Sequence, residues 1–433
     1  MVVKRHVVTV LVLTVGVLIA VAPAARSQQF QSPEIVISDL PIDQYLPQVA
    51  YNSRHKEYLV VWHNTWPAHA RDIYGKRINQ FGNVISEFVI VSAVKDRGQP
   101  SVAYDPIRDR YLVVWMFDEA GTGANWDVNG RFVPWNGPTP ALPEFSINTW
   151  TSSQWSPKVE YAGTQEEFMV VWANDSSGVP WYLSAQRIDA ASGALTGGAF
   201  TVTSGAEDRL NHDLAYDQER NEFLVVFQLI SPVSQDDIYG VRMTAGGAIL
   251  GAGDFAIADW PGPDQDPAVG ASRIGDMYMV AWHDVHSSTD HDTYVRMVNG
   301  DGTVAGPAAL VVRTPVTESD PDVACDSEST TCLVAWEQRY SSATGAVGIS
   351  ARRVALDGAM SNIFTPRPVY VGEVIDCSSP VIAAGRSGWL VVWEHDHDPA
   401  ATSDQDIHAR VAFDLFSDGF ETGDPSMWSS YSP

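Results

Sequence analysis

Three features of the sequence predict an all-β chain folded as a seven-bladed β-propeller of four-stranded antiparallel blades, its ring closed by the N-terminal strand. A five-residue apolar run ending in an aromatic recurs seven times. Three further strand patterns accompany it in each unit, except that the last unit stops after its third. Near the start of the chain a lone strand pattern has no unit of its own.

The recurring run reads Tyr58-Leu-Val-Val-Trp62, Tyr111-Leu-Val-Val-Trp115, Phe168-Met-Val-Val-Trp172, Phe223-Leu-Val-Val-Phe227, Tyr278-Met-Val-Ala-Trp282, Cys332-Leu-Val-Ala-Trp336 and Trp389-Leu-Val-Val-Trp393. Its terminal aromatics lie 53, 57, 55, 55, 54 and 57 positions apart. Continuous apolarity, as opposed to alternation, means that both faces of this strand are buried between neighbouring sheets. Upstream is a Pro-x-Val-Ala-Tyr element, at 47–51, 100–104, 157–161, 267–271, 321–325 and 380–384, with His212 replacing the proline at 212–216. Proline suits the first residues of a strand, where no ladder hydrogen bond is lost.

Downstream comes Asp-Ile-x-Gly-x-Arg, at 72–77, 127–131, 237–242, 292–296 and 406–410; units three and six keep only the arginine, Arg187 and Arg353. A short closing strand is expected at 88–92, 145–148, 200–203, 255–258, 310–313 and 368–371. The seventh is missing, and the orphan Glu34-Ile-Val-Ile-Ser38 has its pattern. Pairing 35–38 onto 409–413 closes the ring and removes an open sheet edge. Across the first hairpin, Tyr51 faces Tyr58 and Tyr104 faces Tyr111; the same register puts Cys325 opposite Cys332, which predicts a disulfide and leaves Cys377 alone in a loop.

The paired Tyr-Leu-Val-Val-Trp and Asp-Ile-x-Gly-x-Arg motifs resemble repeats of secreted bacterial β-propeller proteins over about residues 34–413, a likeness that implies the fold and no particular activity. The tail Leu415-Phe-Ser-Asp-Gly-Phe-Glu-Thr-Gly-Asp-Pro-Ser-Met-Trp428 is similar to a C-terminal segment of exported bacterial proteins. Residues 1–27 read as a secretion signal: Lys4, Arg5 and His6 precede an apolar run from 7 to 21, and Ala22-Pro23-Ala24 offers a cleavage site. The expected organisation is therefore a signal at 1–27, a propeller at 28–413 and a tail at 414–433.

Lys and Arg total 27 against 53 Asp and Glu, a net charge of −26, which loss of Lys4, Arg5 and Arg26 would deepen to −29. Such a chain repels polyanions, so nucleic acid is not an expected partner. The expected product is a secreted, acidic monomer with no membrane span after signal removal.

Candidate site residues lie where loops join the second strand to the third and the fourth to the next blade. Trp126, Trp150, Trp155 and Trp181 are candidates for stacking on sugar rings. Asp213, Asp266, Asp320 and Asp322, with His212 beside them, are candidates for a hard cation such as calcium, or for acid/base work, at the axial mouth. Two clusters mix His with Asp, one spanning His283 to Asp292 and the other Glu394-His-Asp-His-Asp398, and can hold a transition metal. The repeated arginine, as at Arg77 and Arg242, is expected to pair with a carboxylate or stack on an aromatic inside the blades.

The sequence has no Gly-x-Ser-x-Gly elbow, no His-Glu-x-x-His and no Ser-x-Asp-x-Gly-x-x-Trp turn at the sialidase position. The leading expectation is thus a non-catalytic binding propeller for an extracellular glycan or other macromolecule. The alternatives are a polysaccharide hydrolase or lyase with an axial carboxylate or metal site, and a structural cell-surface protein lacking any concave site.

Overall fold

The computed structural model describes residues 31–413 apart from 66–70, 93–94, 124, 138–141, 177, 232–234, 341–344, 369–374, 387 and 397–404. The signal and the C-terminal tail read from the sequence fall outside the described residues. Seven four-stranded antiparallel sheets form a seven-bladed propeller. Blade 1 is typical, with strands Asp43–Asn52, Glu57–Thr65, Asp72–Asn79 and Val84–Val91 in spatial order. The first strand of each blade touches that of the next, and Asp376–Gly385 of blade 7 touches Asp43–Asn52 of blade 1, completing the ring.

The seventh blade takes its outer strand from the other end of the chain. Its order is Asp376–Gly385, Gly388–Asp396, Gln405–Phe413 and then Ile35–Ser38. Ile35 faces Ala409, Val36 faces His408 and Ser38 faces Ile407, with an isolated bridge from Gln31 to Ala412. Ile35 and Ile37 are buried against Val411, Ile407 and Trp62, so closure fills the core between blades 7 and 1 as well as pairing an edge.

The apolar runs are buried along their whole length, as two-faced packing requires. Each buried indole N–H still needs an acceptor. In blades 1, 3 and 6 the acceptor stands two residues on: Trp62 donates to Asn64, Trp172 to Asn174 and Trp336 to Gln338. In blade 5, Trp282 donates to Asp264 of the first strand. The repeated arginine is an internal strut. Arg77 pairs with Glu57, Arg187 with Glu167 and Arg242 with Glu222, and Arg77 also lies over the Trp135 ring of the next blade. The arginines of the five-residue motifs at 127–131 and 292–296 do not share the Arg77 position, a correction to the expected repeat. In strand register Arg131 and Arg296 stand one residue earlier, with Lys76 and Arg352, and these four donate to carbonyls of Ile37, Ile90, Ile257 and Val311 in the preceding blade.

Cys325 and Cys332 are joined by a disulfide, at the hairpin position the repeat register predicts. Two local expectations need correction. Cys377 is free but lies inside the first strand of blade 7, where strand pairing extends further toward the chain start than the Pro-x-Val-Ala pattern suggests, and it is fully buried. The fourth strand of blade 6 is Phe364–Arg367; of the expected 368–371, Pro368 follows that strand and 369–371 lie outside the described residues.

Ring closure makes the orphan strand a stability element. Ile37→Ala removes a fully buried side chain from the closure core and should destabilise the protein by about 2–5 kcal/mol. Deleting 28–38 should lower the melting temperature further and promote aggregation through the bared edge. Denaturant unfolding measures the first and a light-scattering melt the second; unchanged curves for both would reject closure as a source of stability.

Candidate functional site

Each first strand loses register with its second strand at one point, a β-bulge repeated in all seven blades. There stand Leu46, Gln99, Ser156, Asn211, Asp266, Asp320 and Ser379, all with φ between 45° and 53°. The left-handed region costs a non-glycine residue roughly 1–2 kcal/mol. Six of the seven also precede proline, which further disfavours helical backbone. Strain of this kind persists only where the surroundings enforce it.

The enforcement comes from neighbouring blades. A bulge frees a backbone N–H, and a side chain of the preceding blade accepts it: Leu46 N donates to Glu394 at 2.7 Å, Ser156 N to Gln99 at 2.9 Å and Ser379 N to Glu337 at 3.0 Å. A second layer lies deeper along the axis. Val159 N donates to Ser101 at 3.2 Å, Val269 N to Asp213 at 3.0 Å and Ile382 N to Asp322 at 2.6 Å. The four aspartates proposed from the sequence as one cation site therefore separate into two layers, Asp266 and Asp320 in the bulge ring and Asp213 and Asp322 in the channel. Sequence spacing fixes the position along each strand, but one residue of bulge sends alternate side chains to different depths.

The channel is a cavity of 720 Å³ that opens among the short first hairpins, with Tyr51, Tyr104, Tyr161 and Tyr216 near its rim. Lys158, Glu160, Asp213 and Asp322 line it, and Lys158 Nζ lies 3.9 Å from Asp213. Removal from water, then the charge of Asp213, pushes the Glu160 carboxyl up to about 8 and that of Asp322 up to about 6. This concavity removes the reading of a structural protein without a concave site.

The other end of the axis, on the long-loop side, carries a carboxylate cluster. Carboxyl oxygens of Asp320 and Asp266 lie within 4.8 Å of each other, and Glu337 stands beside Asp320. Burial first, and the Asp320 charge and hydrogen bond next, raise Asp266 to about 7 and push Glu337 well above the usual carboxylate range. Asn211 Nδ2 donates to Asp266 Oδ1 at 2.7 Å, and His283 Nδ1 lies 3.9 Å from Asp266 Oδ2. His283 is buried, stacked on His291 with centroids 5.0 Å apart, and burial lowers its pKa to about 4, so it is neutral at pH 7. Ligand atoms of Asp266, His283 and Asp320 lie within 4.8 Å of one another, close enough for a cation to engage all three.

Glu337 was not among the sequence candidates, and His283 was grouped with its own loop. Both had a signal. They occupy the position after the aromatic of the second strand, where the blades carry His63, Met116, Ala173, Gln228, His283, Glu337 and Glu394. Four of these are ionisable groups at the end of a run that is otherwise wholly apolar. His212 is a core residue, buried, donating to Val171 O at 3.3 Å and held neutral by burial, with its pKa lowered to about 4. Of the His/Asp loop cluster, His286 and Arg313 both bind Asp292, forming an ion network.

The tryptophans do not make one platform. Trp126 is 5% exposed, wedged against Trp155 at 6.0 Å beneath the Arg71 guanidinium, so its expected role as an exposed stacking ring is corrected: it plugs the loop onto the core. Trp155 and Trp181 continue this row at 6.2 Å and pack partly buried on the core between blades 3 and 4. Trp150, at 37%, presents an accessible ring, edge-on to Trp172.

No protein-family model matches the chain, and no curated protein matches it. Solved structures do. A mutant of an α-L-arabinofuranosidase from Fusarium graminearum in complex with an iminosugar inhibitor is 12% identical with a TM-score of 0.54, covering 76% of this chain and 98% of that one. An α-L-arabinofuranosidase of the same organism in complex with arabinobiose is 13% identical with a TM-score of 0.51 over the same shares. At this identity the likeness establishes the fold. The neighbours nevertheless overturn the expectation of a non-catalytic binding propeller, because that expectation rested on missing sequence motifs. Carboxylates brought together from separate strands by the fold leave no contiguous motif, so missing motifs do not exclude chemistry.

Glu160, Asp322 and Asp266 bind protons more tightly in the folded protein than in the unfolded chain. Their contribution to stability is complete below about pH 4 and is lost as pH rises through about 6 to 8. The melting temperature should therefore be higher at pH 5 than at pH 8.5, and Glu160→Gln should shrink that difference. Equal slopes for the variant and the parent would show that the channel carboxyl is not responsible.

Proposed function

We propose that this protein is a glycoside hydrolase whose chemistry takes place at the Asp266–Asp320–Glu337 cluster on the long-loop side of the axis. The observation that carries the reading is a buried carboxyl of raised proton affinity packed among other carboxyls in one cluster. Asp266 is raised to about 7 by burial and by the charge of Asp320, the arrangement that supplies an acid and a base side by side. In glycoside hydrolysis one carboxyl protonates the leaving oxygen while an ionised one attacks the anomeric carbon or activates water. Asp266 fits the acid and Asp320 its carboxyl partner; Glu337, anchored by the Ser379 N–H, stands beside Asp320. Acid and partner lie within 4.8 Å of each other in the free protein, closer than the ~5–9.5 Å such a pair spans around a sugar, so substrate must part them on entry.

The two arabinofuranosidase propellers make a furanosidic, uncharged glycan the first substrate class to test. The acidic chain, at −26, disfavours uronates and sulfated sugars. Chromogenic α-L-arabinofuranosides and arabino-oligosaccharides should release sugar, with kcat/KM falling as pH rises through about 7 and Asp266 deprotonates. Asp320→Asn should lower kcat by about 10²–10⁴-fold without lowering the melting temperature. Turnover unaffected by Asp320→Asn and by Asp266→Asn would move the chemistry elsewhere.

Export is part of the same proposal. The positive start and apolar run fit a secretion signal, and the Cys325–Cys332 bond suits an oxidising compartment. No helix among the described residues is long and apolar enough to cross a membrane. N-terminal sequencing of protein from the culture medium or periplasm should begin after position 24 or 27; an intact Met1 would reject cleavage.

A further inference from the structure

The seam that closes the ring carries a cluster found in no other blade among the described residues. Two residues beyond the second-strand aromatic, the first six blades place Asn64, Phe117, Asn174, Leu229, Asp284 and Gln338; blade 7 places His395. Opposite the aromatic on the third strand they place Tyr74, Asn129, Ser184, Tyr239, Tyr294 and Ser350; blade 7 places His408. Both histidines are buried, and their ring centroids are 4.4 Å apart. Glu34, the residue immediately before the closing strand, reaches both: Oε1 is 2.7 Å from His408 Nδ1 and 3.6 Å from His395 Nδ1. One carboxylate and two imidazoles thus converge, with candidate ligand atoms all within 4.8 Å of one another.

We propose that Glu34, His395 and His408 form a binding site for a divalent transition ion of the zinc class, which fastens the N-terminal closing strand to blade 7. Two imidazoles and one carboxylate are a donor set zinc takes, at about 2.0–2.2 Å per bond, leaving a fourth position for water. Ligands on a tetrahedral ion at that distance stand about 3.3 Å apart, so Glu34 and His408, at 2.7 Å, must part slightly to admit the ion, while His395 at 3.6 Å draws in slightly. Arg367 Nε lies 3.7 Å from Glu34 Oε1 and Arg410 Nη2 3.7 Å from Oε2. Arg410 approaches the oxygen turned away from His408 and orients the carboxylate from the outer side, as second-layer partners of metal ligands do. Arg367 faces the liganding oxygen and opposes a dication there, which sets the site toward moderate affinity. The location gives the ion a purpose: the ends of the ring meet without a covalent link, and a bond set spanning position 34 and positions 395–408 ties them. This site is independent of the carboxylate cluster proposed for hydrolysis.

The test uses the exported protein stripped with a chelator and then titrated with Zn²⁺ alone. Calorimetry should show one ion per chain, and Zn²⁺ should raise the melting temperature by a few degrees, since an ion held only by the closed ring stabilises it. X-ray absorption of the loaded protein should show two imidazoles in the first shell. His408→Ala and Glu34→Gln should each weaken binding by at least about tenfold, in line with loss of a ligand. A shell with one imidazole or none would place the ion at Asp266, His283 and Asp320 and overturn the proposal, as would unchanged affinity in both variants. If His408→Ala does not fold, the absorption spectrum of the parent protein and the Glu34→Gln titration decide the question.

Discussion

The structure depends on one constraint, that the second strand of every blade is apolar on both faces. Such a strand is stable only with a sheet on either side, so no blade can be the last one. The ring answers this by giving every blade two neighbours, and the N-terminal strand supplies the one piece that a linear chain of repeats cannot. Ile35 and Ile37 are buried by blade 7 and by Trp62 of blade 1 together, so closure and core formation are the same event.

The same repetition creates the axial chemistry. Seven inner strands bulge at one level and present seven backbone N–H groups near the axis. Where the preceding blade answers with a glutamate or glutamine, that side chain is drawn to the axis and held there. Glu337 and Glu394 are consequently interblade struts that stand near the axis. Crowding follows from geometry, because side chains that lie far apart in sequence converge on one narrow axis. In that setting burial and like charge raise Asp266 and Glu337, while the deeper layer does the same to Glu160 and Asp322. A strut network has become a set of carboxyls with unequal proton affinities, which is the raw material of acid/base catalysis.

Much of this was legible before any coordinates. A period of about 54 residues, the continuous apolar run and the orphan strand state the blade count, the strand order and the closure, because each is a local pattern repeated. The Cys325–Cys332 bond followed from register, and a carboxylate or ring partner for Arg77 from the regular place of the arginine, though that the carboxylate is Glu57 came from the structure. The tryptophans follow no such repeat. Trp126 and Trp150 are both loop residues of similar surroundings in sequence, yet one is a plug and the other presents its ring, since burial is set by the adjacent blade.

By itself, then, the sequence determined the architecture, the closing strand, the disulfide and an acidic character hostile to polyanions. Only the tertiary structure decided which acids meet. Asp266, Asp320 and Glu337 come from three different strands of two blades, and Glu34 reaches His408 across 374 positions. Repeats record what each unit does within itself through periodicity. Contacts between units depend on the curvature of the ring and on a one-residue bulge that sets the depth of each side chain, and neither leaves a spacing that can be read along the chain.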